Sequence, residues 1–180
     1  MVYNYKEIIE IYGNYYNLKK ALSKNEIFKL DKGIYSSKKI VSPLVIYSKK
    51  YPNSVITMDS AYYYYNLTDV IPSKVYLATD RNTDKIHNEK IVQTFMSKDI
   101  LYQGRVNLKT NDGIINIYDR ERLLIELIRK RKQIPFDYYK EIIYNYRAIV
   151  DELDMYKIEE YLALFKNDMS LSNILQMEVF

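Results

Sequence analysis

Residues 106–131, VNLKTNDGIINIYDRERLLIELIRKR, restrict the fold more than any other stretch of the chain. They read as a β-hairpin running straight into an amphipathic helix. Asp112-Gly113 is a two-residue turn pair, since both positions tolerate positive φ. That loop sets Thr110 opposite Ile115 and Leu108 opposite Ile117. Val106, Leu108, Ile115 and Ile117 then share one face, and Asn107, Lys109 and Asn116 share the other. A three-residue loop would scramble these faces, so the hydrophobic pattern selects the register. Asp119 follows as an N-cap, and Glu121 and Glu126 lie toward the positive end of the helix. Leu123, Leu124, Leu127 and Ile128 make one helical stripe. Arg129, Lys130, Arg131 and Lys132 close the helix where cations suit its dipole. Sheet and helix meet here, which puts the core of the larger domain here.

The remaining pattern mixes strands and helices without a repeating βα period, so the larger part is expected to be α+β. Strands are expected at residues 54–57, 75–78 and 91–96. Helices are expected after Pro43, from an Asp59 or Ser60 cap through Tyr65, from Pro135 to about Arg147, over 151–165 and over 170–177. The polar stretch 78–89 holds Asp80, Asp84, His87 and Glu89 and reads as a solvated loop. With 48% hydrophobic residues the chain can bury a core. It has no cysteine and one histidine, which argues against thiolate or His-based metal sites and against a catalytic triad. There is no G-x-x-x-x-G-K-[ST], G-x-G-x-x-G or G-x-S-x-G, and no [DE]-x-K triplet of a restriction-type nuclease. No enzyme activity and no cofactor or metal is therefore expected. The start, MVYNYKEIIEIYG, does not read as a signal peptide, and no apolar run approaches the ~20 residues that span a bilayer. A cytoplasmic location and no membrane partner are expected. The 21 tyrosines read as a compositional bias shared with Ile, Lys and Asn.

Charge is uneven. Residues 1–52 hold ten Lys and no Arg against four acids, a net of +6, while the rest nets −2. Such asymmetry suggests an anionic partner for the N-terminal part. There the spacing predicts a helix over 3–12 stopped by Gly13, a second over 15–24 capped by Asn14, and short strands at 27–30 and 34–36 around Asp31-Lys32-Gly33. Helix, turn, helix and basic hairpin is the order of a winged helix-turn-helix, whose second helix enters the major groove while the wing lays Lys beside phosphates. The same residues also fit a small helical domain with a solvated lysine face. A linker near residues 38–43 divides the chain into 1–39, the DNA-binding candidate, and 40–180.

LKKALSKNEIFKLDKGIYSS resembles the end of the N-terminal winged-helix domain of AbiEi-type antitoxins, with Gly33-Ile34-Tyr35 matching the family's Gly-hydrophobic-Tyr ending. NSVITMDSAYYYYNLTDVIPSKVYLAT resembles the next family segment, through Ser60-Ala61 and Leu67-Thr68. IYDRERLLIELIRKR resembles the strand-to-helix segment with Arg-Glu-Arg ahead of a Leu/Ile stripe. The resemblance spans residues 5–164. The family has three helices before the wing and two are found here, so the domain reads as shortened.

The resemblance implies a type IV toxin–antitoxin system of abortive infection and phage defence. Its antitoxin represses its own operon by binding operator DNA, as a monomer or weak dimer, and opposes a nucleotidyltransferase-like toxin without a lasting tight complex. Tyr15, Tyr16, Asn17, Lys19 and Lys20 would meet the groove, with Asn17 as base reader, and Lys24, Lys29 and Lys32 would contact phosphates. For Arg120, Glu121 and Arg122 a part in neutralising the toxin competes with a salt-bridge role at the helix start. The alternative is an interaction-only antitoxin or adaptor that does not bind DNA.

Overall fold

The computed structural model describes residues 1–165 and 170–180 and is a mixed α+β structure with two sheets. It divides into two compact units, Met1–Ser54 with Asn107–Asn116, and Val55–Val106 with Ile117–Phe180.

The first unit begins with a strand, β1 (Val2–Asn4), where a helix is expected from Tyr3. Asn4 ends it by forming a capping box: its Oδ1 accepts the Glu7 N–H at 3.0 Å, and Glu7 Oε2 accepts the Asn4 N–H at 2.8 Å. That cap starts α1 (Tyr5–Tyr12), which Gly13 stops at φ +78°, its N–H reaching the Ile9 carbonyl. Asn14 caps α2 (Tyr15–Ser23) through the Asn17 N–H. β2 (Phe28–Asp31) and β3 (Ile34–Ser36) follow around a Lys32-Gly33 turn, with Gly33 at φ +76°. β1 and β2 both pair antiparallel with β3, giving the order β1-β3-β2, with Tyr3 and Lys29 both opposite Tyr35. Ile8, Leu18, Ala21, Ile27 and Tyr35 form the core between helices and sheet.

The last helix of this unit, α3 (Pro43–Lys50), has Pro43 in its first turn and packs on β1 and β3. The sequence reading assigns these residues to the domain after residue 39. Lys49 Nζ donates to Glu7 at 2.6 Å and Lys50 Nζ to Asp31 at 2.8 Å. Asn107–Asn116 completes the unit: Asp112 accepts from Lys38 Nζ at 2.8 Å and from the Ser42 N–H, and Asn116 Nδ2 donates to the Pro52 carbonyl.

The second unit contains β4 (Val55–Ile56), α4 (Met58–Tyr64), β5 (Val75–Asp80), β6 (Ile91–Met96) and a short α5 (Lys98–Leu101) that the sequence reading lacks. After these comes the hairpin of β7 (Arg105–Lys109) and β8 (Ile114–Tyr118), whose tip belongs to the first unit. The strand order is β6-β5-β4-β8-β7. β4 runs antiparallel to β5 and parallel to β8, with Ile56 opposite Ile117, and β5 and β6 are parallel. α6 (Arg120–Arg129) packs against α4 and against two later helices, α8 (Met155–Ala163) and α9 (Ser170–Glu178), with α7 (Phe136–Ala148) between them in sequence. The expected helix over 151–165 is shorter: a 3-10 turn at Val150–Glu152 precedes α8, which Asp154 caps through the Tyr156 and Lys157 N–H groups. Among the described residues no helix is long and apolar enough to cross a membrane.

The hairpin has the expected faces but another register. The Thr110 N–H donates to the Gly113 carbonyl at 2.7 Å, and at the base the Asp119 N–H donates to Gly104. These bonds make Asn111-Asp112 the turn and set Leu108 opposite Ile115 in place of Ile117. The Thr110 hydroxyl is the reason: it accepts the Asp112 and Gly113 N–H groups and so holds the turn one residue earlier than the Asp-Gly rule places it. The shift is an even number of residues, so no side chain changes face. Ile115 and Ile117 are buried and Leu108 half-buried. Leu123, Leu124, Leu127 and Ile128 are all buried, as their stripe predicts.

Candidate nucleic-acid interface

In the first unit α2 turns Leu18 and Ala21 into the core. The helical period then leaves Tyr16, Lys19, Lys20 and Ser23 on the outer side, at i, i+3, i+4 and i+7. Tyr15 and Tyr16 are 59% and 76% exposed, and Asn17, Lys19, Lys20 and Lys24 are exposed with them. Lys29 on β2 and Lys32 in the β2–β3 turn are exposed too. The expected DNA-contacting residues thus lie on one helix and the hairpin that follows it.

The local electrostatics favour an anion. Of the four acids in residues 1–52, Glu7 pairs with Lys49 and Asp31 with Lys50. Burial pushes the Glu7 carboxyl up, but Lys49 and the Asn4 N–H outweigh it and hold the group below its ordinary value. Burial likewise pulls Lys50 down, and the bond to Asp31 more than restores it. Glu26 faces Lys24 at 3.9 Å, with both side chains more than half exposed, a pair too loose and too wet to compete with a phosphate. Among the described residues Lys19, Lys20, Lys29 and Lys32 have no ion-pair partner. Two of the four acids, Glu7 and Asp31, are engaged by α3 and Glu26 only loosely by Lys24, and among the described residues Lys19, Lys20, Lys29 and Lys32 are left available.

Asn17 is less free than its exposure suggests. Its side-chain Nδ2 donates to the Tyr12 carbonyl at 3.0 Å, tying the start of α2 to the end of α1. Ser23, which the sequence reading passed over, shares the outer side of α2, and its hydroxyl donates to the Lys20 carbonyl. The i, i+3, i+4, i+7 spacing from Tyr16 was the signal that would have found it.

Arg120, Glu121 and Arg122 lie at the start of α6 in the second unit and have three different settings. Arg120 is half-buried and pairs with Glu152 at 2.8 Å. Glu121 is buried and accepts the Asp154 N–H. Arg122 has no exposed surface: it donates to Glu126 at 2.8 Å and to the Ile100 and Gln103 carbonyls, over the rings of Tyr118 and Phe165. Only Arg120 of the three presents charge to solvent. No protein-family model matches the chain, and no curated protein matches it either.

Proposed function

We propose that the chain is a DNA-binding antitoxin of the type IV kind, which represses its own operon and counteracts a nucleotidyltransferase-like toxin in the cytoplasm. One observation carries the DNA half of this reading: lysines on α2 and the β2–β3 hairpin that are exposed and, among the described residues, without ion-pair partners, in a segment where Glu7 and Asp31 are held by α3. The order strand, helix, helix, hairpin, with β1 beside β3, supports a reading as a winged helix-turn-helix. In that reading α2 enters the major groove with Tyr15, Tyr16, Lys19 and Lys20, and Lys24, Lys29 and Lys32 neutralise phosphates. The antitoxin half rests on the sequence resemblance.

Footprinting and salt-dependent binding to the chain's own promoter test it. Four lysines, Lys20, Lys24, Lys29 and Lys32, correspond to a slope of log affinity against log salt of roughly −3 to −4, at ~0.9 per phosphate. The double variant Lys29→Ala, Lys32→Ala is expected to flatten the slope by about 2 and to weaken all sequences alike. No protected site at low salt, and no preference over random DNA, would overturn the repressor reading.

The engaged Asn17 amide favours a second reading, an antitoxin that acts through protein contacts alone. In that case the lysine variants would protect cells from the toxin as well as the parent does, with no DNA binding in either.

A further inference from the structure

The second unit contains a cleft of about 290 Å³ that the DNA reading does not use. Its walls come from the start of α4, from β5 and β6, from the C-terminal end of α6 and from the start of α7. Four kinds of observation converge on it. First, the cleft faces chemistry of both signs. Asp59 and Lys130 line it, with Met58 and Ile134 as apolar wall. Second, Lys130 is half-buried and has no ion-pair partner among the described residues, because Glu126 is already held by Arg122 and Arg129. Third, a polar atom is left over. Among the described residues Tyr138 Oη, on the wall of the cleft, is a buried side-chain atom without a well-formed hydrogen bond. The Tyr138 hydroxyl lies near both Asp59 and Thr68 without a well-formed bond to either, and Tyr76 also interacts with the Asp59 carboxylate. Buried polar groups are normally paired, so such a leftover points to a missing partner. Fourth, Met58 sits at φ +47°, a conformation that a bulky side chain rarely adopts and that clusters at binding sites.

We propose that this cleft binds a small molecule carrying an anionic group for Lys130 and an N–H donor group for Asp59, its body lying against Tyr76, Tyr138 and Met58. Free amino acids and nucleoside monophosphates both have that chemistry. The perturbed acid and base fit the same picture: burial raises the Asp59 carboxyl above its ordinary value and pulls the Lys130 ammonium below its own. Each group has lost water and has not been fully repaid by protein. A bound molecule with complementary ends restores both.

The alternative is purely structural, with Asp59 serving only to hold Tyr76. Thermal unfolding and ligand-observed NMR of the full chain separate the two. The probes are the common amino acids in one arm and the nucleoside monophosphates in the other, each at millimolar concentration. Members of one arm are expected to raise Tm and show contact with the protein, which also tells the two sources apart. Lys130→Met and Asp59→Asn are each expected to weaken that binding by about tenfold or more. Tyr138→Phe is expected to weaken it while changing the stability of the unligated protein little, because among the described residues the removed hydroxyl makes no well-formed hydrogen bond. The proposal is overturned if no probe of either arm stabilises the protein, if the variants bind as well as the parent, or if Tyr138→Phe destabilises the unligated chain as a paired hydroxyl would.

Discussion

Arg122 shows what one residue type can do when its partners come from far along the chain. The sequence places it in a first turn rich in charge, where a solvated salt bridge is the ordinary outcome. The structure buries it completely against Glu126, two carbonyls and two aromatic rings. Glu126 is buried with it and is also held by Arg129 at 3.0 Å. Removing one member of such a group leaves a buried charge poorly compensated, so Arg122→Ala is expected to cost about 3–5 kcal/mol in urea unfolding. Replacing the pair together, Arg122→Met with Glu126→Leu, is expected to cost much less. Tyrosine also does more than composition suggests. The hydroxyls of Tyr62, Tyr118 and Tyr146 donate to the Leu123, Leu101 and Arg120 carbonyls, and that of Tyr161 to Asp119. Tyr146→Phe is expected to lower stability by about 1 kcal/mol, the net worth of one such bond, measured by denaturant midpoint at constant m. The i, i+4 spacing of Arg122 and Glu126 is legible in the sequence, but their burial is not, because the carbonyls that satisfy Arg122 belong to the loop around α5.

Among the elements, the β7–β8 hairpin and α6 were the most legible, because alternation, a capping Asp and a leucine stripe are local signals. Asp119 caps α6 through the Arg122 N–H at 2.9 Å and also takes bonds from Tyr161 and Lys157. The register was not legible, since the Thr110 side chain competes with the Asp-Gly pair for the turn. Nor was β1, because three residues are too few to show a period and pair only with a strand some thirty positions away. The loop before β7 is equally specific. Gly104 has φ +78°, and a Cβ there would lie 2.6 Å from Arg122 Cβ, so Gly104→Ala is expected to cost at least about 2 kcal/mol from strain and overlap together. At the hairpin tip the Lys38 ammonium bonded to Asp112 holds its carboxyl below the ordinary carboxylate value, helped by the Ser42 N–H. A depressed folded-state pKa means that the unfolded chain takes up the proton first. The stabilisation is therefore present at neutral pH and is lost as pH falls below about 4, through the folded pKa. The stability difference between the parent and Asp112→Asn is expected to shrink from pH 6 to pH 3. A difference that stays constant would show that the Lys38–Asp112 pair contributes nothing through charge.

At the scale of the whole molecule, the chain crosses between its two units three times, after Ser54, after Val106 and after Asn116. Charge composition suggested a cut near residue 40, and nothing in local pattern could have shown that residues 107–116 complete a unit begun at Met1. The partners of that segment are Lys38, Ser42, Ser48 and Pro52. Residues 1–39 alone lack α3 as well, so this fragment is expected to show no cooperative unfolding by circular dichroism, whereas the full chain unfolds cooperatively. A sharp transition in the fragment would mean that α3 and the tip are dispensable. The candidate cleft was illegible for the same reason, since its residues come from five separate elements. The threefold crossing also has a consequence for synthesis on the ribosome. The lysine-bearing unit starts first but cannot close until Asn116 has left the exit tunnel. At ordinary elongation rates of about 5–20 residues per second, α1, α2 and their sheet wait roughly 3–12 s for their last segment. During that interval the nascent chain displays an unfinished basic surface, and the interval ends only when most of the second unit is already made.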